Sequence, residues 1–382
     1  MFGYDDMERK SVLILRILNQ AQGPLGARII ARRLKDYGVN LSERAVRYHL
    51  QFMDQRELTR FVGRRDGRVI TARGIEELRN ARVHDKVGYC ISRMEILAYK
   101  TTFSARSGKG SIPINVSFFP EGQFANALKA MRSSFEKGLC VSDLVATAPA
   151  GRFLGDIIVP EGSIGFATVC SIVFSGMLLK KGIPLESKFG GILQVSEHKP
   201  LRFVDLIHYS GTSLDPSEAF ISARMTEVRR AVQHGEGKIL ANFSEIAGVC
   251  KDGVEEVVSE LRDVGMNPVI TMGKTGEPIC QVPVDVNKMG VILIGGLNPV
   301  AAAKEAGVEE TTCPCRPSWN TRTSGGSPRS AATFSADAPV PSPQAPSARP
   351  AGPGSRPAAT HTPFRLHLHT VWTGDEARAA SA

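Results

Sequence analysis

The sequence predicts an α+β chain in three parts: an N-terminal winged helix-turn-helix over 1–83, a mixed α/β domain over 84–310, and a disordered tail over 311–382. Three observations carry this reading. Three segments with helical apolar spacing precede a hairpin signal; β-prone runs then alternate with amphipathic helices; and composition breaks sharply after Glu310.

In the first part, Asp5 and Glu8 stand in capping-box spacing ahead of "SVLILRIL", where Ile14, Ile17, Leu18 and Ala21 share a face, and Gly23-Pro24 ends the helix. A second helix is predicted from Ala27 to Tyr37, with Ile30, Leu34 and Tyr37 on one side and Gly38 as its left-handed stop. The third opens at Ser42, a good N-cap, and buries Val46, Leu50 and Met53. Asp66-Gly67 between β-prone runs is a tight hairpin turn, and "GIEELRNARV" is a helix leading out.

Beyond residue 84, strands are expected in "DIIVPEGSIGF", "GGILQV", "RFVDLIHY", "NPVITMG", "EPICQVPV" and "GVILIGG". Helices are expected in "EGQFANALKAMRSSFEKG", "SIVFSGMLLKKG", "PSEAFISARMTEVRRAVQHG" and "GVEEVVSELRDVG". Ile192, Gln194, Val195, Val204, Leu206 and Ile207 recur as Ile279, Gln281, Val282, Val291, Leu293 and Ile294 at the same spacing. Either this is coincidence among common β residues or two α-β-β units are duplicated.

The tail has no Lys, Ile or Tyr and holds 11 of the chain's 23 prolines, a composition unable to offset its conformational entropy by burial. The break is as abrupt as an altered reading frame would make it. The net charge of +9 is also uneven. Residues 1–82 carry 17 Lys+Arg against 10 Asp+Glu, whereas 83–310 carry 23 against 25, so the basic module is local to the first part. Seven scattered cysteines without a signal-like start predict reduced thiols and a cytoplasmic protein. No apolar run approaches the roughly 18 residues that cross a bilayer, so no membrane partner is expected.

An α-helix fits the DNA major groove, where arginine can donate two hydrogen bonds to guanine. Ser42, Arg44, Arg47, Tyr48 and Gln51 lie on the solvent side of the third helix, while Arg32, Arg33, Arg64, Arg65 and Arg68 are placed to neutralise flanking phosphates. A protein-contacting winged helix or a solvated basic face are the alternatives. In the middle domain, Thr168, Cys170 and Ser171 precede a helix whose N–H groups attract an anion. His208, Thr212 and Ser213 follow an apolar strand, and Asn298 is expected as a cap with Pro299 in the first turn. Such residues more often cap helices, but together they predict a polar pocket for a small anion. Cys170 and His208 could act as nucleophile and base, although a hydrogen-bonded histidine is the commoner case. No phosphate loop and no metal-ligand set stands out: Cys313 and Cys315 lie in the tail, and the protein is read as neither a metalloprotein nor an enzyme.

The phrases "DDMERKSVLILRIL", "LSERAVRYHL", "VITARGIEEL", "VPEGSIGFATVCSI", "LLKKGIP", "KFGGILQV" and "ILIGGLNPVAAAKEAG" resemble the archaeal NrpR repressors of nitrogen-assimilation genes. The likeness runs from Tyr4 to Glu309, after which the tail departs from the family. It implies a dimer that binds inverted-repeat operators in double-stranded DNA, no cofactor, and 2-oxoglutarate as an effector that binds the regulatory domain and weakens DNA binding. It also implies that Ser42 to Gln51 is the recognition helix and Arg64 to Arg68 the wing. Two rivals are a small-acid-metabolising enzyme with an appended DNA-binding domain and a protein-interaction adaptor.

Overall fold

The computed structural model describes residues 4–21, 23–63, 66–81, 88–155, 157–320, 332–333 and 369–370, with side chains described up to Thr312 except those of 4–6 and Glu8. The order α1 (Tyr4–Ala21), α2 (Ala27–Lys35), α3 (Glu43–Gln55), β1 (Thr59–Gly63), β2 (Gly67–Ile70), α4 (Ala72–Asn80) is the expected winged helix. Its core is the set the spacing picked out: Ile14, Ile17, Leu18, Ile30, Leu34, Val46, Leu50 and Met53 form one buried cluster. Gly38 adopts φ +71° after α2, as a helix stop requires. Gly67, at φ +100°, serves a closer purpose. Leu25 and Arg68 exchange backbone hydrogen bonds of 2.9 and 3.0 Å, and a Cβ on Gly67 would lie 2.1 Å from the Leu25 carbonyl oxygen.

The second part begins with α5 (Tyr89–Lys100) and continues β3 (Ser111–Pro120), α6 (Phe124–Glu136), β4 (Leu144–Pro149), β5 (Phe153–Leu154), β6 (Ile157–Ile158), β7 (Ser163–Val169) and α7 (Ile172–Lys180). Then come β8 (Leu185–Ser196), β9 (Lys199–His208), α8 (Pro216–Ser222), α9 (Val228–His234), β10 (Gly237–Ala247), α10 (Lys251–Asp263), β11 (Val269–Met272), β12 (Lys288–Ile294), α11 (Asn298–Glu305) and β13 (Thr311–Asn320). One sheet has the order β11-β12-β10-β8-β9 and is antiparallel throughout. The other runs β13-β3-β7-β4 and is extended by the two-residue strands β15 (His369–Thr370) and β14 (Ala332–Thr333). Helices from both halves fill the space between them. One core joins Ala127, Met131 and Val300 to Phe189, Ile239 and Phe243; another joins Val173, Val254 and Leu261 to Ile114, Val116 and Leu293.

The duplication is real in architecture but not in the register the sequence suggested. Ile279 and Val282 pair across a tight turn whose central residues, Cys280 and Gln281, have φ +46° and +64°; they are not the counterpart of β8. The repeated unit is longer: β3, a 3₁₀ turn, α6, β4, β7, α7 is followed by β10, a 3₁₀ turn, α10, β11, β12, α11. Each first helix ends alike, with Gly138 and Gly265 in the left-handed region and Leu139 N–H and Met266 N–H reaching back to Ser134 O and Leu261 O. β8, β9, α8 and α9 lie between the units, and the short pair β5–β6 is inserted within the first.

Three other expectations are corrected. The helix expected over Pro216–Gly235 is two helices: Arg224 turns left-handed at φ +55°, and Glu305 of α11 accepts the N–H groups of Val228 and Arg229 at 2.7 and 2.9 Å, starting α9 afresh. α5 and β3 lie where no element was singled out. The tail is also ordered at its start: residues 311–320 form β13, antiparallel to β3, with the Thr312 and Ser117 hydroxyls 3.1 Å apart. A β ladder is made by backbone groups, so a composition too poor for a core can still complete a sheet edge.

Candidate functional sites

α3 presents two chemically different faces because its N-terminus is fixed by Ser42, whose hydroxyl accepts Ala45 N–H at 3.1 Å. Val46, Leu50 and Met53 are wholly buried, joined by His49. Arg44, Arg47, Tyr48 and Gln51 are therefore solvent-facing, Tyr48 with 65% of its surface exposed. Arg47 pairs with Glu43 one turn earlier, an exposed contact that competes weakly with a phosphate or a base. Arg32 is exposed and Arg33 half-buried on α2, on the same module. Arg64 and Arg65 lie outside the described residues.

Arg68 is misassigned by the sequence reading. Its Nε donates to Asp54 Oδ2 at 2.6 Å, its guanidinium lies 5.2 Å from the Phe61 ring centroid, and its side chain is only 19% exposed. Asp54 also accepts from Thr59 Oγ1 at 2.6 Å. This arginine ties the hairpin to α3.

The second site is a small polar cavity of about 30 Å³ where the two repeats meet. Met94, Asn115, Cys170, Ser171, Ile172, Tyr209, Asp215, Ser217, Asn242, Gly295, Gly296 and Leu297 line it. Asn115 and Asn242 come from matching places on β3 and β10, and the residues just ahead of α7 and α11 enter from opposite sides. Two helix N-termini thus point partial positive charge at one volume, a setting for an anion. Asn242 donates to Ser171 Oγ at 3.2 Å and accepts from the Tyr209 hydroxyl at 2.7 Å. Gly296 is needed for closeness: a Cβ there would lie 2.5 Å from Val169 O and 2.6 Å from Asn115 Nδ2. Asp215 caps α8, accepting Ser217 N–H at 2.9 Å. Burial raises its carboxyl pKa, and the Arg93 charge and those backbone N–H groups oppose the rise.

Of the seven residues predicted for an anionic pocket, the structure gathers three. Cys170 and Ser171 line the cavity. Thr168 stands behind its wall, donating to Gly296 O at 2.8 Å. The others lie elsewhere. His208 is exposed on the edge strand β9, its ring edge-on to Phe189, so it does not join Cys170 at the cavity. Thr212 bonds locally with Leu214 in the turn, at 3.0 Å in both directions, and Ser213 is exposed. Asn298 does not cap α11; Leu297 holds that place. Its wholly buried amide instead clamps the Leu240 N–H and C=O at 2.8 and 3.0 Å. Asn115 and Asn242 went unread, since each sits alone in its own stretch of sequence, while Tyr209 and Asp215 lie in the polar stretch 208–216 from which His208, Thr212 and Ser213 were chosen instead.

Among the described residues, Glu186, Glu245 and Asp285 come together as a metal site would require. Lys188 sits 2.7, 3.1 and 3.2 Å from the three carboxylates, and Lys288 joins them. Two ammonium groups already neutralise this cluster, so it reads as an ion-pair network at the end of the sheet.

An exposed arginine-bearing helix on a winged module, joined to a duplicated domain around a polar cavity, defines a regulator with a nucleic-acid-facing head. Comparison with known proteins makes this specific. Residues 87–322 match the family described as NrpR regulatory domains NRD1 and 2, and residues 12–78 match the Ribonuclease R winged-helix domain. The chain is 38% identical over 308 residues to the global nitrogen regulator NrpRI of Methanosarcina mazei, covering 81% of this chain and 94% of that one. It is 35% identical to the global nitrogen regulator NrpR of Methanocaldococcus jannaschii, over 81% of this chain and 53% of that protein. To NrpR of Methanococcus maripaludis it is 34% identical, over 78% of this chain and 51% of that protein, so it spans about half the length of these two relatives. A crystal structure of a nitrogen repressor-like protein from Methanococcus jannaschii aligns with TM-score 0.49 and 26% identity, over 60% of this chain and 95% of that one. The chain belongs to the NrpR family of nitrogen regulators, and it is a regulator rather than an enzyme. The family match runs on to residue 322, so β13 belongs with the regulatory domain and the likeness does not stop at Glu309. Among the described residues no helix is long and apolar enough to cross a membrane.

Proposed function

We propose that this chain is a cytoplasmic transcriptional repressor that binds inverted-repeat operators of nitrogen-assimilation genes as a homodimer and is released when 2-oxoglutarate enters the cavity between the repeats. The observation that carries the DNA-binding part is the division of α3, with Val46, Leu50 and Met53 buried and Arg44, Arg47, Tyr48 and Gln51 turned outward. A helix so divided fits the major groove, and two copies related by a two-fold axis read a palindrome.

The effector reading is supported by the two helix N-termini, the amides of Asn115 and Asn242, and Ser171 around one cavity. A carboxylate would take the place of water there, with Thr168 and Cys170 shaping the wall. At about 30 Å³ the closed cavity has room for a water or two, at ~10–15 Å³ each. A dicarboxylate therefore binds a more open arrangement than this one. If the open arrangement holds DNA less well, linkage lowers both affinities by the same factor.

The test is a titration of 2-oxoglutarate into the full chain by calorimetry, and again with a duplex selected by the protein from a random-sequence pool. Saturable heats without turnover, and weaker binding when the duplex is present, are expected. Absence of heats would remove 2-oxoglutarate as effector, and consumption of the compound would favour the enzyme.

A further inference from the structure

The helix α5 touches both the winged module and the cavity. Its first residue, Tyr89, stacks on Tyr37 of the winged module with ring centroids 5.8 Å apart and planes 21° from parallel. The two hydroxyls are 3.2 Å apart, Gln20 bonds the Tyr89 hydroxyl, and the Arg16 guanidinium lies 3.7 Å from the Tyr89 ring centroid. Its last residue, Lys100, pairs with Asp36, so both ends of α5 hold the winged module. The opposite face belongs to the cavity. Met94 lines it, and Leu97 and Ala98 pack on Cys170 and Ile172, where α7 begins. Thr101, directly after α5, fills the space that a Cβ on Gly176 of α7 would need, 2.5 Å away.

Arg93 stands beside Met94 in the same helix. Its positive charge acts on Asp215 in the cavity wall and on Tyr37 in the winged module. Arg93 thus bears electrostatically on one residue of the cavity and one of the winged module. A dianion in the cavity competes with Asp215 for Arg93, both side chains being half-buried and so less screened than on the open surface.

We propose that α5 is the element that couples the cavity to the winged helix: an anion bound beside Asp215 draws Arg93 and the Met94 face toward the start of α7 and so separates Tyr89 from Tyr37. This rests on the cavity being the effector site. Binding energy at the cavity is then spent on breaking the stack and the Lys100–Asp36 pair, and the winged module loses its fixed orientation. Coupling between sites by such two-state contacts is typically ~5–150-fold.

The test compares the full chain with Tyr89→Ala, Tyr89→Phe and Arg93→Gln. In each, 2-oxoglutarate affinity and the affinity for the selected duplex, with and without 2-oxoglutarate, are measured. Tyr89→Ala should bind 2-oxoglutarate at least as tightly as the unmodified chain, while the effect of 2-oxoglutarate on duplex affinity falls to under twofold. Tyr89→Phe keeps the stack and should retain most of the coupling; Arg93→Gln should lose ligand affinity and coupling together. Unchanged coupling in Tyr89→Ala would overturn the proposal. A second arm needs neither ligand nor DNA: Ser171→Asp places a carboxylate in the cavity wall. Hydrogen exchange around Tyr37 should then quicken relative to the unmodified chain, with β3 protection retained as the check on folding, and should not quicken further when Ser171→Asp is added to Tyr89→Ala. Failure of 2-oxoglutarate to bind the unmodified chain sinks the effector reading alone; unaltered exchange around Tyr37 in Ser171→Asp sinks the coupling.

Discussion

Asn242 Nδ2 donates to Ser171 Oγ while Asn242 Oδ1 accepts the Tyr209 hydroxyl, so one amide joins β10, the start of α7 and the segment after β9. Asn242→Ala leaves the buried hydroxyls of Ser171 and Tyr209 short of a partner. It should cost about 1–3 kcal/mol, read from denaturant unfolding. Asn115→Ala removes the matching amide from the cavity and should weaken 2-oxoglutarate binding, read by calorimetry; unchanged binding would take Asn115 out of the effector site.

Arg44→Ala and Arg47→Ala should each lower affinity for the selected duplex by about 1–3 kcal/mol if they read guanine, with a smaller loss on random duplex. Arg68→Ala behaves differently. Its loss leaves Asp54 half-buried without its cation, at roughly 1.5–3 kcal/mol of stability. Melting curves and fluorescence anisotropy separate the two effects, and a normal melting temperature for Arg68→Ala would return that residue to the DNA surface.

Acid should weaken the fold through Glu186. Hydrogen bonds from Lys188 and then Lys288 hold its carboxyl below its ordinary value of 4.5. Between the lowered folded value and 4.5, the unfolded chain binds the proton and the folded chain does not, so stability is present above that window and lost as pH falls through it. Glu186 is about half exposed, which limits the contribution to ~0–1 kcal/mol. Unfolding midpoints of Glu186→Gln should show a shallower slope below pH 4.5 than those of the unmodified chain.

Alkylation should discriminate among the cysteines. Burial pushes the thiols of Cys90 and Cys140 up to about 12, leaving almost no thiolate near neutral pH. Native protein treated with iodoacetamide at pH 8 should be modified at the half-buried Cys250 well before Cys90 or Cys140, as read by peptide mass spectrometry. Prompt labelling of Cys90 would mean that α5 leaves its seat in solution.

The winged module was legible because its signals are local. A Ser42 cap, apolar residues at helical spacing and an Asp-Gly turn each act within a few residues of themselves, and the buried face of α3 followed from spacing alone. The residues on the opposite face were legible as exposed for the same reason: what is not in the core stripe must face water. Arg68 shows where this stops. Nothing near it in sequence reveals that Asp54 is waiting at the end of α3, and an arginine beside a wing looks the same whether it meets a carboxylate or a phosphate.

The regulatory domain was legible as a class and misread in its register. Ile279 and Gln281 imitate β8 residues but occupy a turn, because two residues with positive φ reverse the chain regardless of their β-prone neighbours. β13 was missed since apolar content was the measure, whereas the free edge of β3, opposite β7, supplied its partner.

What the sequence determined by itself was the list of elements in the head, the alternation of helices and strands behind it, and the basic charge of the two ends around a nearly neutral middle. Those depend on periodicity, caps and composition, which neighbouring residues set among themselves. Only the tertiary structure decided that Asn115 and Asn242 share a cavity, that Asn298 clamps a strand instead of meeting a ligand, and that α5 reaches both the winged module and the cavity. These relations join residues far apart in the chain, and their energies come from burial and hydrogen bonds that exist only once the two repeats have packed.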